Sequence, residues 1–432
     1  MNRTTTLSLM AGAAVSLAAS GAALADNAPP NGMSTDEIRA MVADMLADAD
    51  TRSSLLQSGG TAGHDGHFFL ASPDGAFRLN VGGQLQFRYV VNFRNGDPAA
   101  GQDDFDSGFQ TRRTKLAFTG NIYNDFFYKI QGVFNRNSGG FALEDSYFGY
   151  NFGNGWKVQA GQFKLPFTRE ELVSSKRQLA ADRSFTHGLF SLARGQGVMV
   201  SYSEENWRSM VSFNDGERTA NTEFTTNNQG FGGLRGGEAD FGITGRFEYL
   251  GAGNWGQFKD FTSPRGSEGV AWMAGAAFHY QNGSSSLVAD NGGSILSWTG
   301  DLSVEGDGWS LYGAIIGRHV NNEFTDAGSA DEFGVVAQGS YYVTDSLEPF
   351  VRYDGLIPNN GQTFNVITAG FNYYVHGHAA KFTLDAQWFT DAPASNGGLD
   401  QVPIGANTGI GFLGSGAQQD EIVIRAQFQL LF

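Results

Sequence analysis

Glu421-Ile-Val-Ile-Arg-Ala-Gln-Phe-Gln-Leu-Leu-Phe432 is the stretch on which the reading of this chain turns. Ile422, Ile424, Ala426, Phe428, Leu430 and Phe432 share one parity. Glu421, Arg425, Gln427 and Gln429 share the other, with Val423 and Leu431 as exceptions. Successive side chains of a strand point to opposite faces, so the segment has one oily face and one wet face. A soluble sandwich could own one such strand, but a strand that closes a transmembrane barrel needs one face in lipid and the other in water.

The same alternation recurs upstream. Phe77, Leu79, Val81, Leu85, Phe87, Tyr89, Val91 and Phe93 fall on odd positions, whereas Arg78, Asn80, Gln84, Gln86, Arg88 and Asn92 fall on even ones. A strand of this length, at about 3.3 Å per residue, crosses a bilayer even when tilted. Phe382, Leu384, Ala386 and Trp388 make a further oily face. Short turns at 153–155, 204–206 and 344–346 alternate with longer loops at 94–108, 214–240 and 281–294, the asymmetry of outer-membrane barrels. Residues 68–432, at roughly 22 residues per strand and connection, predict an all-β transmembrane antiparallel barrel of about 16–18 strands, wide enough for an aqueous channel.

The start of the chain sets the compartment. Residues 1–25 read as a signal peptide, with Arg3, an apolar run from Leu7 and cleavage after Ala23-Leu24-Ala25. Export combined with a barrel predicts the outer membrane, in contact with its lipid. A polar lead follows at 26–33. Ser34-Thr-Asp-Glu37 is a capping box that opens a short amphipathic helix over 34–57. Ile38, Val42, Met45 and Ala49 fit a two-heptad seam, so the helix either joins protomers as a coiled coil or is a lone amphipathic helix. Residues 58–67, Gly-rich, read as a linker.

Composition excludes several classes. The chain has no cysteine, so disulfides hold nothing. Removing Arg3 from 28 Lys and Arg against 44 Asp and Glu takes the formal charge from −16 to −17, which argues against a nucleic-acid partner. No G-x-S-x-G, H-E-x-x-H or Walker motif is present, which points away from an enzyme, and no cofactor is called for. His376-Gly-His378 reads as a polar turn rather than a metal pair, and Asp103-Asp104-Phe105-Asp106 as a hydrated loop. Trp156, Trp255, Trp309 and Trp388 read as interfacial girdle residues.

Residues 109–200 carry a resemblance. Arg112-Arg113-Thr-Lys115-Leu116, Asp125-Phe126-Phe-Tyr128-Lys129, Glu144-Asp145-Ser-Tyr147-Phe-Gly149-Tyr150, Gly161-Gln162-Phe163-Lys164-Leu-Pro166-Phe167, Glu171-Leu-Val-Ser174-Ser175-Lys176, Asp182-Arg183-Ser184 and Arg194-Gly195-Gln-Gly197-Val198 follow one another in the order of the phosphate-selective porin O and P family. By its motifs the chain resembles that family. The resemblance implies a homotrimer of 16-stranded barrels, each narrowed by an inward loop that would run here over 168–196. It further implies that Arg112, Arg113 and Lys176 line the constriction and contact the anion. Arg183, in the same loop, joins them as a candidate. Lys115, Arg169 and Arg425, with the lumen-parity Arg78 and Arg88, are expected to line the pore. A ring of fixed positive charge attracts anions, and guanidinium forks suit phosphate geometry.

Such basic residues can instead pair with loop carboxylates, and Glu170, Glu171 and Asp182 are available. Arg112 and Arg113, as neighbours in a strand, should point to opposite faces unless a bulge intervenes. Two function classes follow. One is a passive channel for small hydrophilic solutes, above all anions such as phosphate. The other is an outer-membrane anchor that engages periplasmic partners through the 34–57 helix.

Overall fold

The computed structural model describes residues 36, 39–44, 61–94, 104–223, 238–267, 269–284, 292–322, 329–358, 363–390, 410–411 and 420–432. The chain divides into two units, 1–60 and 61–432. In the first, Asp36 and residues 39–44 are helical. The signal peptide, the polar lead and most of the 34–57 helix lie outside the described residues.

The second unit is a closed antiparallel barrel of 16 strands, β3 to β18, each paired with its neighbour in sequence. β3 (Arg78–Arg94) and β18 (Glu421–Leu431) close the ring, with Ile422 opposite Phe93 and Leu431 opposite Gln84. Ile422, Phe428 and Leu430 face outward, whereas Glu421, Val423, Arg425, Gln427 and Gln429 are buried on the lumen side. The Phe432 ring covers the seam: a Cβ on Gly83 of β3 would lie 2.1 Å from it. Trp298 covers Gly317 on the neighbouring strand in the same way. Rings laid across bare glycines are one reason that 60 glycines and 36 phenylalanines coexist here.

Within 58–67, Thr61–His64 forms β1, a short strand against β2 (Phe68–Ala71). β2 pairs with Arg78–Val81 of β3, directly below the residues of β3 that β18 takes up. The hairpin therefore extends the closing row of the barrel.

Two connections fold into the lumen. One is 165–193, between β7 (Trp156–Lys164) and β8 (Arg194–Ser203) at the long-loop end, with short helices at Arg169–Leu172 and Phe185–Phe190. The other is 253–270, between β10 (Glu238–Ala252) and β11 (Ala271–Ser284), at the end whose other turns are short. The two meet inside. Arg169 donates to the carbonyls of Phe258 (2.8 Å) and Asp260 (2.9 Å), and Val173, Leu179 and Ala180 share an apolar cluster with Phe261, Tyr312, Val336 and Phe350. Trp255 belongs to this connection rather than to a girdle strand, and its indole N–H donates to the Glu205 carbonyl.

Candidate functional site

The site is built by two bulges. In β4 (Phe105–Ile122) the register against β3 jumps from Gln86–Arg113 to Phe87–Thr111, which leaves Arg112 as the extra residue. In β6 (Phe141–Asn151) the register against β5 (Phe126–Phe134) jumps from Gln131–Asp145 to Gly132–Leu143, which leaves Glu144 extra. A bulge aims two consecutive side chains the same way. Arg112 and Arg113 both turn inward, and so do Glu144 and Asp145.

Asp182 of the inward loop meets the first pair. Its carboxylate accepts from Arg88 (2.5 Å), Arg112 (3.0 Å) and Arg113 (2.8 Å), with Arg425 at 3.7 Å. Burial opposes its charge, but Arg112, Arg88, Arg113 and Arg425 hold the carboxyl well below the usual range. Asp385 takes two further bonds from Arg425, at 2.7 and 2.9 Å. The loop backbone is clasped as well: Lys381 donates to the Gln178 carbonyl, Asn372 to Leu179, Gln429 to Lys176 and Arg352 to Asp182. The second bulge holds the complementary pairs, Lys115–Glu144 (2.6 Å), Lys129–Asp145 (2.7 Å) and Arg194–Asp145 (2.6 Å).

A cavity of about 740 Å³ lies between this wall and the loop. Nine Lys and Arg line it against three Asp and Glu, Glu144, Asp145 and Glu171. Among the expected constriction residues, Arg112, Arg113, Lys176 and Arg183 all line it, as does Lys115. Arg113 also donates to Gln86, and Arg183 donates to the carbonyls of Glu170, Glu171 and Val173, stapling the loop. The Lys176 ammonium has no hydrogen bond or ion pair among the described residues. Burial, then Arg177, pull it below its ordinary value.

The other residues expected to line the pore stand outside this cavity. Arg88 and Arg425 have lumen parity, but the loop covers them and their side chains are 0 % exposed. Arg169 points away from the cavity, bonded to Ser303, Phe258 and Asp260. Arg78 stands at the short-turn rim, paired with Asp65 at 2.5 Å and stacked on Phe69. Lys129, Lys164, Arg194 and His67 line the cavity without having been singled out as pore-lining from the sequence. Lys129 was legible in principle, because it shares the parity of Gln131 while Phe126, Ile130 and Phe134 face lipid. His376 ends β16 (Phe364–His376), and the turn to β17 (Ala380–Phe389) carries His378. Among the described residues no group of His, Cys, Asp or Glu is arranged to hold a metal, and Asp106, expected in a loop, lies in β4 and pairs with Arg94.

A closed 16-strand barrel with an oily exterior, a charged interior and a loop narrowing its lumen defines an outer-membrane porin. The chain belongs to the phosphate-selective porin O and P family, which residues 83–392 match. No curated protein matches the chain. Among solved structures, an anion-selective porin from Comamonas acidovorans is similar at 13 % identity, covering 82 % of this chain and 99 % of that one with a TM-score of 0.54. The outer-membrane channel DcaP of Acinetobacter baumannii is similar at 14 %, covering 86 % and 100 % with a TM-score of 0.54. OprB of Pseudomonas putida is similar at 11 %, covering 88 % and 96 % with a TM-score of 0.51. At these identities the likeness is one of fold.

Proposed function

We propose that this porin is anion-selective, that its basic cavity is the selective constriction, and that phosphate is among the solutes it passes. The observation that carries the reading is the excess of positive charge lining one cavity in a chain whose formal charge is −16. Total charge does not act on an ion in a pore; the nearest poorly screened groups do. Arg112 and Arg113 share one carboxylate with two other guanidiniums, so they keep net positive field toward the cavity. Lys176 faces the same space unneutralised. Groups already paired hold an anion weakly, which favours release over trapping.

The test is the reversal potential of the protein in planar bilayers across a KCl gradient. A potential of the sign set by chloride supports the reading, and the opposite sign removes it. Phosphate passage is tested separately, by block of chloride current with added phosphate. That block should weaken in Lys176→Ala and Arg113→Ala. A homotrimer agrees with the family and is checked by mass measurement in detergent.

A further inference from the structure

We infer that His67 is a selectivity-determining residue of the pore: with Lys176 it forms the junction between the constriction and the exit chamber, and its protonation sets the positive charge there. The inference rests on the anion-selective reading above.

Below the constriction lies a second cavity of about 930 Å³, bounded by the inward 253–270 connection, the β16–β17 turn and the β1–β2 hairpin. Among the described residues, His67 and Lys176 are the two that line both cavities. An ion that moves from one cavity to the other passes beside both.

The placement of His67 is built into the fold. It ends the β1–β2 connection, which is tied at Asp65 by the Arg78 guanidinium and by the bond from the Asp65 amide to the His67 carbonyl (3.2 Å). Its ring lies over Gly82, a lumen-facing position of β3, where a Cβ would come within 3.5 Å of Nδ1. That is ordinary van der Waals contact, so the ring rests directly on the barrel wall. Among the described residues, the imidazole makes no hydrogen bond and no ion pair, so its charge is directed at the passage and not at a partner.

The groups that act on it are Lys176 and Arg177 from the loop, with His64 and Asp65 on its own segment. Across the exit chamber stand Asp260, Glu305, Lys259, His376 and His378. Asp65 is committed to Arg78, and Asp260 is contacted by Arg177 and His378. The junction therefore carries the Lys176 ammonium, and gains a further charge when His67 is protonated. Burial, then Lys176, lower the His67 imidazole from its ordinary value of 6.5, so it is neutral at pH 8 and takes up charge on acidification. Two charges at one junction favour anions more than one does.

The experiment compares reversal potentials in a KCl gradient at pH 8 and pH 5 for the full-length protein, His67→Ala, His67→Arg and the double variant His376→Ala/His378→Ala. The chloride-to-potassium permeability ratio should rise roughly threefold on acidification in the unsubstituted protein. His67→Ala should lose most of that rise, His67→Arg should show the acidic ratio at both pH values, and the double variant should keep the rise. A full rise in His67→Ala, or an unsubstituted response in His67→Arg, overturns the inference. Cation preference of the unsubstituted protein at pH 8 strikes instead at the anion-selective reading, so the two failures are told apart in one set of traces.

Discussion

The two sides of this barrel obey the same alternation and end in opposite states. Along β10 to β18 the inward arginines are paired and covered: Arg246 with Asp301 and Glu248, Arg352 with Asp354, Arg425 with Asp385. The inward loop and the 253–270 connection fill that side, and apolar residues at lumen parity, Phe364, Val366, Phe389 and Val423, pack on Phe185 and Leu189 of the loop. Along β4 to β8, Lys115, Lys129 and Arg194 also pair with carboxylates but stay partly exposed to the cavity. The same residue types are structural where a loop covers them and available to a solute where none does. Asp182 stands on the boundary, holding the loop to the closing strands with Arg88 and Arg425, and to the open wall with Arg112 and Arg113.

Breaking that boundary should have the largest effect. Asp182→Ala leaves four guanidiniums facing one another and is expected to cost about 3–5 kcal/mol. It should appear as a lower midpoint in thermal unfolding in detergent and as larger, noisier single-channel conductance. On the filled side, Arg169→Ala removes three bonds and strands the Phe258 and Asp260 carbonyls, for about 2–3 kcal/mol. Its reversal potential should stay that of the unsubstituted protein, which separates packing from permeation. On the open side the ranking inverts. Lys176→Glu should change unfolding by less than about 0.5 kcal/mol yet cut anion preference several-fold in the KCl gradient. Arg78→Ala, at the rim, is expected to cost under about 1 kcal/mol.

The anchor should be insensitive to pH where His67 is sensitive. A carboxyl held well below its ordinary value of 3.8 contributes stability that is complete above that value. The contribution is lost only as pH falls through the lower, folded value. Between pH 8 and pH 5 the Asp182 contribution is therefore constant. If the loss of stability in Asp182→Ala changes across that interval, the network of arginines does not hold the carboxylate as described.

Much of the fold was legible because strand parity is local. Seventeen residues of β3 and the final strand each declare a lipid face and a lumen face, and their pairing closes the ring. The exceptions were informative: Val423, out of pattern in an otherwise polar lumen row, is fully buried against the inward loop. The site was legible in part. The motifs containing Arg112, Arg113 and Lys176 named residues that do line one cavity. Parity alone separated Arg112 from Arg113, and only the bulge returned them to one side. The inward 253–270 connection and the hairpin that carries His67 left no comparable signal, since a glycine-containing stretch with scattered aromatics reads the same whether it projects outward or folds into a lumen.

By itself the sequence determined that this chain crosses a membrane as a barrel, since an alternation with one oily and one charged face has few other stable placements. The tertiary structure decided which charges remain available. Lumen parity is a property of one strand, whereas burial depends on which loop crosses in front of it, and that is settled by contacts as distant along the chain as Asp182 with Arg425. Arg88 and Lys176 are both cations inside a porin; the fold covers one and leaves the other facing the water.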